Sequence, residues 1–145
     1  VIPRDRRQVY QVRKVICAVV DEESFFELNP GYGKSLAVGL ARLNGHPIGI
    51  MANDTMHLGG AVNAAAADKM MRFVDLCDTF HLPVVNLVDN PGFLIGVQAE
   101  QEGTVRLGSR ALMACLQACV PWVSVIIRRC YGVAGAGHGN SDRLN

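Results

Sequence analysis

No stretch of this sequence is long and apolar enough to span a bilayer; the longest apolar runs, such as 123–127, are strand-sized. A charge bias is also missing. Fourteen Lys and Arg face thirteen Asp and Glu, for a net charge of +1, which gives no case for nucleic acid or a membrane surface as partner. The polar, basic start at 1–7 is followed by no long apolar segment, so no signal peptide is legible. There is no C-x-x-C pair among Cys17, Cys77, Cys115, Cys119 and Cys130. Their odd number and apolar neighbours favour reduced, mostly buried thiols in a cytoplasmic protein, or a mitochondrial-matrix one, over a disulfide framework. Cys115 and Cys119 share a helix face at i,i+4, but two further ligands at metal-site spacing are lacking, and no metal is expected. No G-x-S-x-G and no Ser/His/Asp set in recognisable context occurs either, which removes the familiar nucleophilic hydrolases.

What is present is a globular composition, 50% hydrophobic and 19% charged, with length for one core. Residues 1–8, polar and basic with Pro3, read as a linker. Val9, Val12, Val15, Ile16 and Val19 recur at helical spacing and predict a helix over 9–20. Asp21 to Ser24 is a polar turn, and 25–28 a short strand. Two strands, 35–43 and 46–52, are joined by Asn44-Gly45, which supplies the positive φ angles of a type I′ hairpin. A helix is predicted over 61–80, starting near Gly59-Gly60, with Ala66, Met70, Phe73, Val74, Cys77 and Phe80 on its apolar face and Asp68 and Arg72 paired on the other. Apolar runs at 84–88 and 123–127, each restarted by a proline, predict strands buried on both faces. Between them, 98–118 reads as helix interrupted near Gly103 or Gly108. Alternating helices and buried strands give α/β layering.

Three irregular segments follow strands: 53–60, 89–96 and 131–139. Such strand ends carry ligands in layered α/β proteins. Glycines at a helix start would present unpaired N–H groups to a phosphate or developing oxyanion. The alternative is that they only permit tight turns and close packing. Side-chain catalysts are scarce. His46, His57, His81 and His138 are scattered, and only His57 and His138 lie in these loops. Glu100 and Glu102 read as solvated helix residues, although a carboxylate acid or base is a further option. Arg128 and Arg129 either neutralise an anion or are ordinary surface charge at a strand end. Backbone donors with few side-chain catalysts suit chemistry in which cofactor and substrate bring the reactive groups.

Several segments, in order, resemble the carboxyltransferase (β-type) subunits of biotin-dependent acyl-CoA carboxylases, the propionyl-CoA, methylcrotonyl-CoA and acetyl-CoA carboxylase family. They are Ser24-Phe25-Phe26-Glu27, Gly45-His46-Pro47 through Ala52-Asn53, Gly59-Gly60 with Ala66-Ala67-Asp68-Lys69, Arg72-Phe73, Cys77-Asp78-Thr79-Phe80, Asp89-Asn90-Pro91-Gly92-Phe93, and Arg128-Arg129-Cys130-Tyr131-Gly132. The resemblance implies a crotonase-like (ClpP/crotonase) superhelix of ββα units, incomplete at the C-terminus. Residues 9–145 would be part of the C-terminal of two homologous domains. It implies carboxyl transfer from carboxybiotin to an acyl-CoA, with the active site shared between subunits of a homo-oligomer. Biotin would arrive on a separate carrier domain or subunit, served by a biotin carboxylase component. This segment would form the biotin-side half, and alone it would be inactive.

The same resemblance places an oxyanion hole for the biotin ureido oxygen on the N–H groups of Val133, Ala134 and Gly135. It draws Gly59, Gly60, Asp89, Pro91, Gly92, Phe93, Tyr131 and Gly132 around the substrate and biotin. Many relatives carry glycine at the position of Val133, proline at Thr55 and aspartate at Asn63. The first change keeps a backbone donor but alters the pocket; all three leave the acyl group unspecified. The competing readings are a crotonase-like acyl-CoA hydratase or hydrolase, and a non-catalytic assembly subunit of the same fold. A dinucleotide-binding loop is a third, but Gly132, Gly135 and Gly137 miss the G-x-G-x-x-G spacing. The glycine-rich end, with no apolar element after it, reads as the interior of a longer protein.

Overall fold

A computed structural model describes residues 2–5 and 7–136. Helix α1 spans Val12–Val19. Strands β1 (Phe26–Leu28), β2 (Leu36–Leu43) and β3 (His46–Asn53) form an antiparallel meander. Helix α2 (Ala64–Thr79) leads to β4 (Val84–Asn90). Helices α3 (Val97–Gln101) and α4 (Thr104–Gln117) lead to β5 (Trp122–Cys130) and α5 (Gly132–Ala136). The sheet order is β1-β2-β3-β4-β5, with β3, β4 and β5 mutually parallel. Helices α2 and α4 bury one face of the sheet through Val74, Phe73, Cys77, Ala111 and Cys115. Helix α1 buries the other through Val12, Val15 and Ile16 against Ala37, Ile50 and Leu87.

The hairpin forms as its turn residues require: Asn44 and Gly45 have φ of 51° and 81°. Asp21 braces it, its carboxylate accepting from the N–H groups of Asn44 (2.8 Å) and Gly45 (2.7 Å). The Asp68–Arg72 pair on α2 forms at 2.9 Å.

Several expectations need correction. Helix α1 begins three residues late, because Tyr10 is held extended by Thr55: its N–H donates to Thr55 Oγ1, and its carbonyl accepts from the same hydroxyl. Gly59 and Gly60 do not open α2. They lie in a 3₁₀ turn at Leu58–Gly60, and Val62 then bridges to Phe93 before Asn63 caps the helix through its side chain. Phe80 lies beyond the last turn of α2 and is 69% exposed. Finally, β5 is not buried on both faces: Val123, Val125 and Ile126 are 56%, 47% and 61% exposed. It is the edge strand, and α1 packs chiefly over β2 and β3. The interruption of the 98–118 helix falls at Gly103, with φ of 73°, not at Gly108. Of the thiols, Cys77 and Cys115 are buried, whereas Cys17 and Cys119 are exposed, so burial holds for fewer than expected. Burial pushes the Cys77 thiol up to about 12, which leaves it inert.

Candidate functional site

Because β3, β4 and β5 run parallel, their C-terminal ends point the same way, and the three irregular segments emerge side by side. They are joined through Asp89, the penultimate residue of β4, which is fully buried. Its Oδ1 accepts from Arg129 Nε at 2.6 Å. Its Oδ2 accepts from Arg128 Nε at 2.8 Å and from the Tyr10 hydroxyl at 3.0 Å. A buried carboxylate is costly unless paired and hydrogen-bonded on both oxygens, and here it is.

Each partner of Asp89 also grips another segment. Arg129 donates from Nη2 to the Gly59 carbonyl at 2.7 Å. Arg128 donates from Nη1 to the carbonyls of Asp5 (3.1 Å) and Gln8 (2.8 Å), and its guanidinium lies 4.7 Å from the centre of the Tyr10 ring. Burial, and after it the Asp89 carboxylate, pushes the Tyr10 phenol far above its ordinary range, so it stays a donor. The Asp89 N–H donates to Asn53 Oδ1 (3.2 Å), and Asn53 Nδ2 donates to the Gly60 carbonyl (3.2 Å). Gly60 has φ of 86°, and a Cβ there would meet the Asp89 carbonyl oxygen at 2.7 Å. The loop therefore needs glycine for both its conformation and its approach.

The other two segments are fixed similarly. Asn90 Oδ1 accepts from the Gly92 N–H (2.8 Å), and the Asn90 carbonyl accepts from the Tyr131 N–H (3.1 Å). The stretch 91–94 is pinned to the start of α2 by Val62 N–H to Gly92 O (3.0 Å) and Leu94 N–H to Val62 O (2.9 Å). The Phe93 ring packs onto Gly108 of α4, where a Cβ would stand 2.5 Å from the ring. That contact explains a glycine inside a helix.

Helix α5 opens directly after β5. Gly132 has φ of 65°, so the chain turns sharply out of the strand. The N–H groups of Val133 and Ala134 in the first turn precede any intrahelical acceptor, and that of Gly135 is the first placed four residues after a carbonyl, that of Tyr131. Ala134 is buried and Val133 is 70% exposed, so the first turn is anchored by a methyl group with its neighbour facing outward. The Cys130 thiol lies 3.7 Å from the Gly135 carbonyl.

Most of the expected site residues are thus brought together: Gly59, Gly60, Asp89, Gly92 and Tyr131 share one hydrogen-bonded framework, with Pro91 and Phe93 on the same strand-end segment and Gly132 next to Tyr131 in the chain. Both carboxylate oxygens of Asp89 are occupied within the chain. Arg128 and Arg129 do neutralise an anion, and the anion is Asp89. His57 is exposed in its loop, and His46 and His81 are exposed away from it. Glu100 and Glu102 are exposed, the latter accepting from Gln98. His138 lies outside the described residues, and among those residues no group of three His, Cys, Asp or Glu is arranged to hold a metal.

Two elements escaped the sequence. Tyr10 was read as helix, and its role depends on a contact 79 positions away. Lys69 is buried, its ammonium donating to the carbonyls of Asn29 (3.0 Å), Tyr32 (2.9 Å) and Leu36 (2.8 Å); desolvation lowers its pKa. Its signal was available, because position 69 falls on the apolar face marked by Ala66, Met70 and Phe73.

Comparison with known proteins agrees with this geometry. A family model described as "Carboxyl transferase domain" matches residues 1–142. The chain is 42% identical over 142 residues to the methylmalonyl-CoA carboxyltransferase 12S subunit of Propionibacterium freudenreichii subsp. shermanii, covering 98% of this chain and 27% of that protein. It is 41% identical over 141 residues to the biotin-dependent acetyl-/propionyl-coenzyme A carboxylase beta5 subunit of Mycobacterium leprae (strain TN), covering 97% and 26%. The transcarboxylase 12S crystal structure, described as a hexamer assembly, superposes with a TM-score of 0.94 at 40% identity, over 99% of this chain and 28% of that one. The beta subunit of geranyl-CoA carboxylase from P. aeruginosa superposes at 0.88 and 25% identity, over 95% and 26%. The chain spans about a quarter of the length of these relatives. The crotonase-like α/β architecture expected from the sequence is the one found.

Proposed function

The chain belongs to the carboxyl transferase domain family, and on that premise we propose that it forms the biotin-side half of an active site that moves a carboxyl group from carboxybiotin to an acyl-CoA. The observation that carries this reading is the convergence of three strand-end loops on Asp89, with the first turn of α5 opening beside them. Residues 9–136 act as one layered unit here, and Arg128 holds the carbonyls of Asp5 and Gln8 ahead of it.

The residues present fit such a group. Asp89 is neutralised internally, so no free carboxylate from it opposes negative charge, and the pairing of one Asp89 with two guanidiniums leaves a net positive backing. Biotin, when bound, supplies a carboxyl group on a ureido nitrogen, and its release leaves negative charge on the ureido oxygen. The N–H groups of Val133, Ala134 and Gly135 stabilise that charge more than the neutral ground state, because they are fixed before it develops. Gly59, Gly60, Pro91, Gly92, Phe93, Tyr131 and Gly132 set the walls around them. The acyl-CoA side is supplied by other parts of the assembly, so the chain alone has no turnover. Working partners are a biotin carboxyl carrier, a biotin carboxylase component and further copies of the subunit, in the cytoplasm or the mitochondrial matrix. Exposed Val123, Val125 and Ile126 on β5 supply apolar surface for such association.

The test is to supply the protein that carries these residues with carboxylated carrier and an acyl-CoA, and to assay for carboxyacyl-CoA. Formation of that product supports the reading. Hydration or thioester hydrolysis without carboxyl transfer overturns it in favour of a hydratase or hydrolase. No reaction and no biotin binding overturns it in favour of an assembly subunit.

A further inference from the structure

A cavity of about 510 Å³ lies on the far flank of the 56–60 loop, between that loop, the 31–35 turn and the start of α2. Lys34, Ser35, His57, Leu58, Asn63 and Ala65 line it, and no Asp or Glu does. We propose that this cavity is a binding site for a phosphate-class oxyanion, distinct from the converging loops around Asp89.

Three independent features carry the proposal. Helix α2 is sixteen residues long and begins in the cavity wall. The Asn63 side chain caps only the Ala66 N–H, at 2.9 Å, and the Asn63 carbonyl takes the Ala67 N–H. The N–H groups of Ala64 and Ala65 precede any intrahelical carbonyl and stand at the positive end of the helix dipole. Next, Ser35 is 2% exposed, and its Oγ has no hydrogen-bond partner among the described residues. A buried hydroxyl without a partner is costly, and a ligand oxygen would supply the missing acceptor. Last, the cationic side chain of Lys34 is exposed at the cavity and makes no ion pair among the described residues. The nearest acidic group along the loop, Asp54, is engaged within the chain: its carboxylate accepts from Arg13 (2.6 Å), which also pairs with Glu27, and from the Met56 N–H (3.0 Å).

A tetrahedral phosphate suits this donor set, because helix amides, a hydroxyl and an ammonium approach it from different directions. The same chemistry is found in free inorganic phosphate and in the phosphate ester of a nucleotide, and the experiment separates the two. Thermal melting and amide chemical shifts are recorded for the protein, S35A and K34A, titrated with inorganic phosphate and, separately, with adenosine 3′,5′-bisphosphate. Without ligand, S35A is expected to melt no lower than the parent, because the lost hydroxyl leaves no partner unpaired. With ligand, the parent melting temperature rises and the Ala64 and Ala65 amides shift saturably. Affinity falls roughly tenfold in each variant, as for loss of a hydrogen bond to a charged group. Tighter binding of the bisphosphate assigns the site to a nucleotide phosphate ester, and equal binding of both assigns it to free phosphate. An absent or unsaturable response, an unchanged response in S35A and K34A, or a lower melting temperature for ligand-free S35A overturns the proposal. None of these outcomes depends on carboxyl transfer, so its failure and that of the proposed activity are separable.

Discussion

Arg129 on β5 holds the Asp89 carboxylate at 2.6 Å with Nε and the Gly59 carbonyl at 2.7 Å with Nη2. One guanidinium thereby ties the end of β4 to the 56–60 loop, just ahead of the turn into α5. Removing Asp89 leaves Arg128, which is 6% exposed, and Arg129 without their counter-charge. Asp89→Ala is expected to cost about 3–5 kcal/mol in urea unfolding, the range for stranding a buried charge. Breaking the Asp68–Arg72 pair, whose Arg72 side chain is largely exposed, should cost under about 1 kcal/mol. Equal losses in the two variants would mean that Asp89 anchors nothing.

Tyr10 links the same carboxylate to pH. Its phenol is raised above the unfolded value by burial and by Asp89. The unfolded chain therefore ionises first as pH rises, from about pH 10, and the contribution of Tyr10 is complete below that value and lost above it. Tyr10→Phe should lower stability at neutral pH by roughly 1.5–3 kcal/mol, as for a hydrogen bond to a charged acceptor. The gap between Tyr10→Phe and the parent should narrow as pH rises above about 10. Denaturant curves at pH 7 and above 10 check both; a gap that widens in alkali contradicts the assignment.

Gly108 and Phe93 make a steric prediction. A methyl group at 108 would stand 2.5 Å from the Phe93 ring. Gly108→Ala should therefore destabilise by about 1–3 kcal/mol despite the better helix propensity of alanine. Adding Phe93→Leu should recover part of the loss, since the pair share one space. A double-mutant cycle that shows strict additivity would refute the contact.

Lys69 supplies the fourth. Its ammonium serves three carbonyls of the 29–36 segment from the apolar face of α2. Lys69→Met keeps the volume and removes the ammonium from all three, although the Asn29 carbonyl keeps the Tyr32 N–H, so a loss of roughly 2–4 kcal/mol is expected in urea unfolding. A neutral outcome would mean that water replaces the ammonium there.

How far the sequence reached follows from where its signals are local. Asn44-Gly45 specified the hairpin because positive φ is a property of two residues. The apolar face of α2 from Ala66 to Cys77 was legible because helical period is a property of one segment. The start of α2 was not, since the extended pairing of Val62 with Phe93 competes with helix and depends on a residue 31 positions on. Tyr10 was misplaced for the same reason, its backbone being claimed by Thr55. The burial of β5 was overestimated because apolar content alone cannot tell a central strand from an edge. At the site, the three loops were located from turn chemistry and resemblance. The alternatives left open for Arg128 and Arg129 resolve only through Asp89, forty positions earlier.

The central claim is that the α5 backbone stabilises charge on the ureido oxygen. The most direct measurement is the carboxyl-transfer rate of Ala134→Pro in the protein assembled with its carrier and an acyl-CoA. Ala134→Gly and His138→Ala serve as companions, and assembly and acyl-CoA binding are confirmed in each. Proline removes one N–H within the first turn of α5, where its ring is tolerated. The account predicts a loss of about 10²–10³ in kcat for Ala134→Pro, as for removal of one oxyanion donor, with milder effects from the other two. An Ala134→Pro protein that assembles and turns over at the parent rate, alongside an inactive His138→Ala, would contradict it.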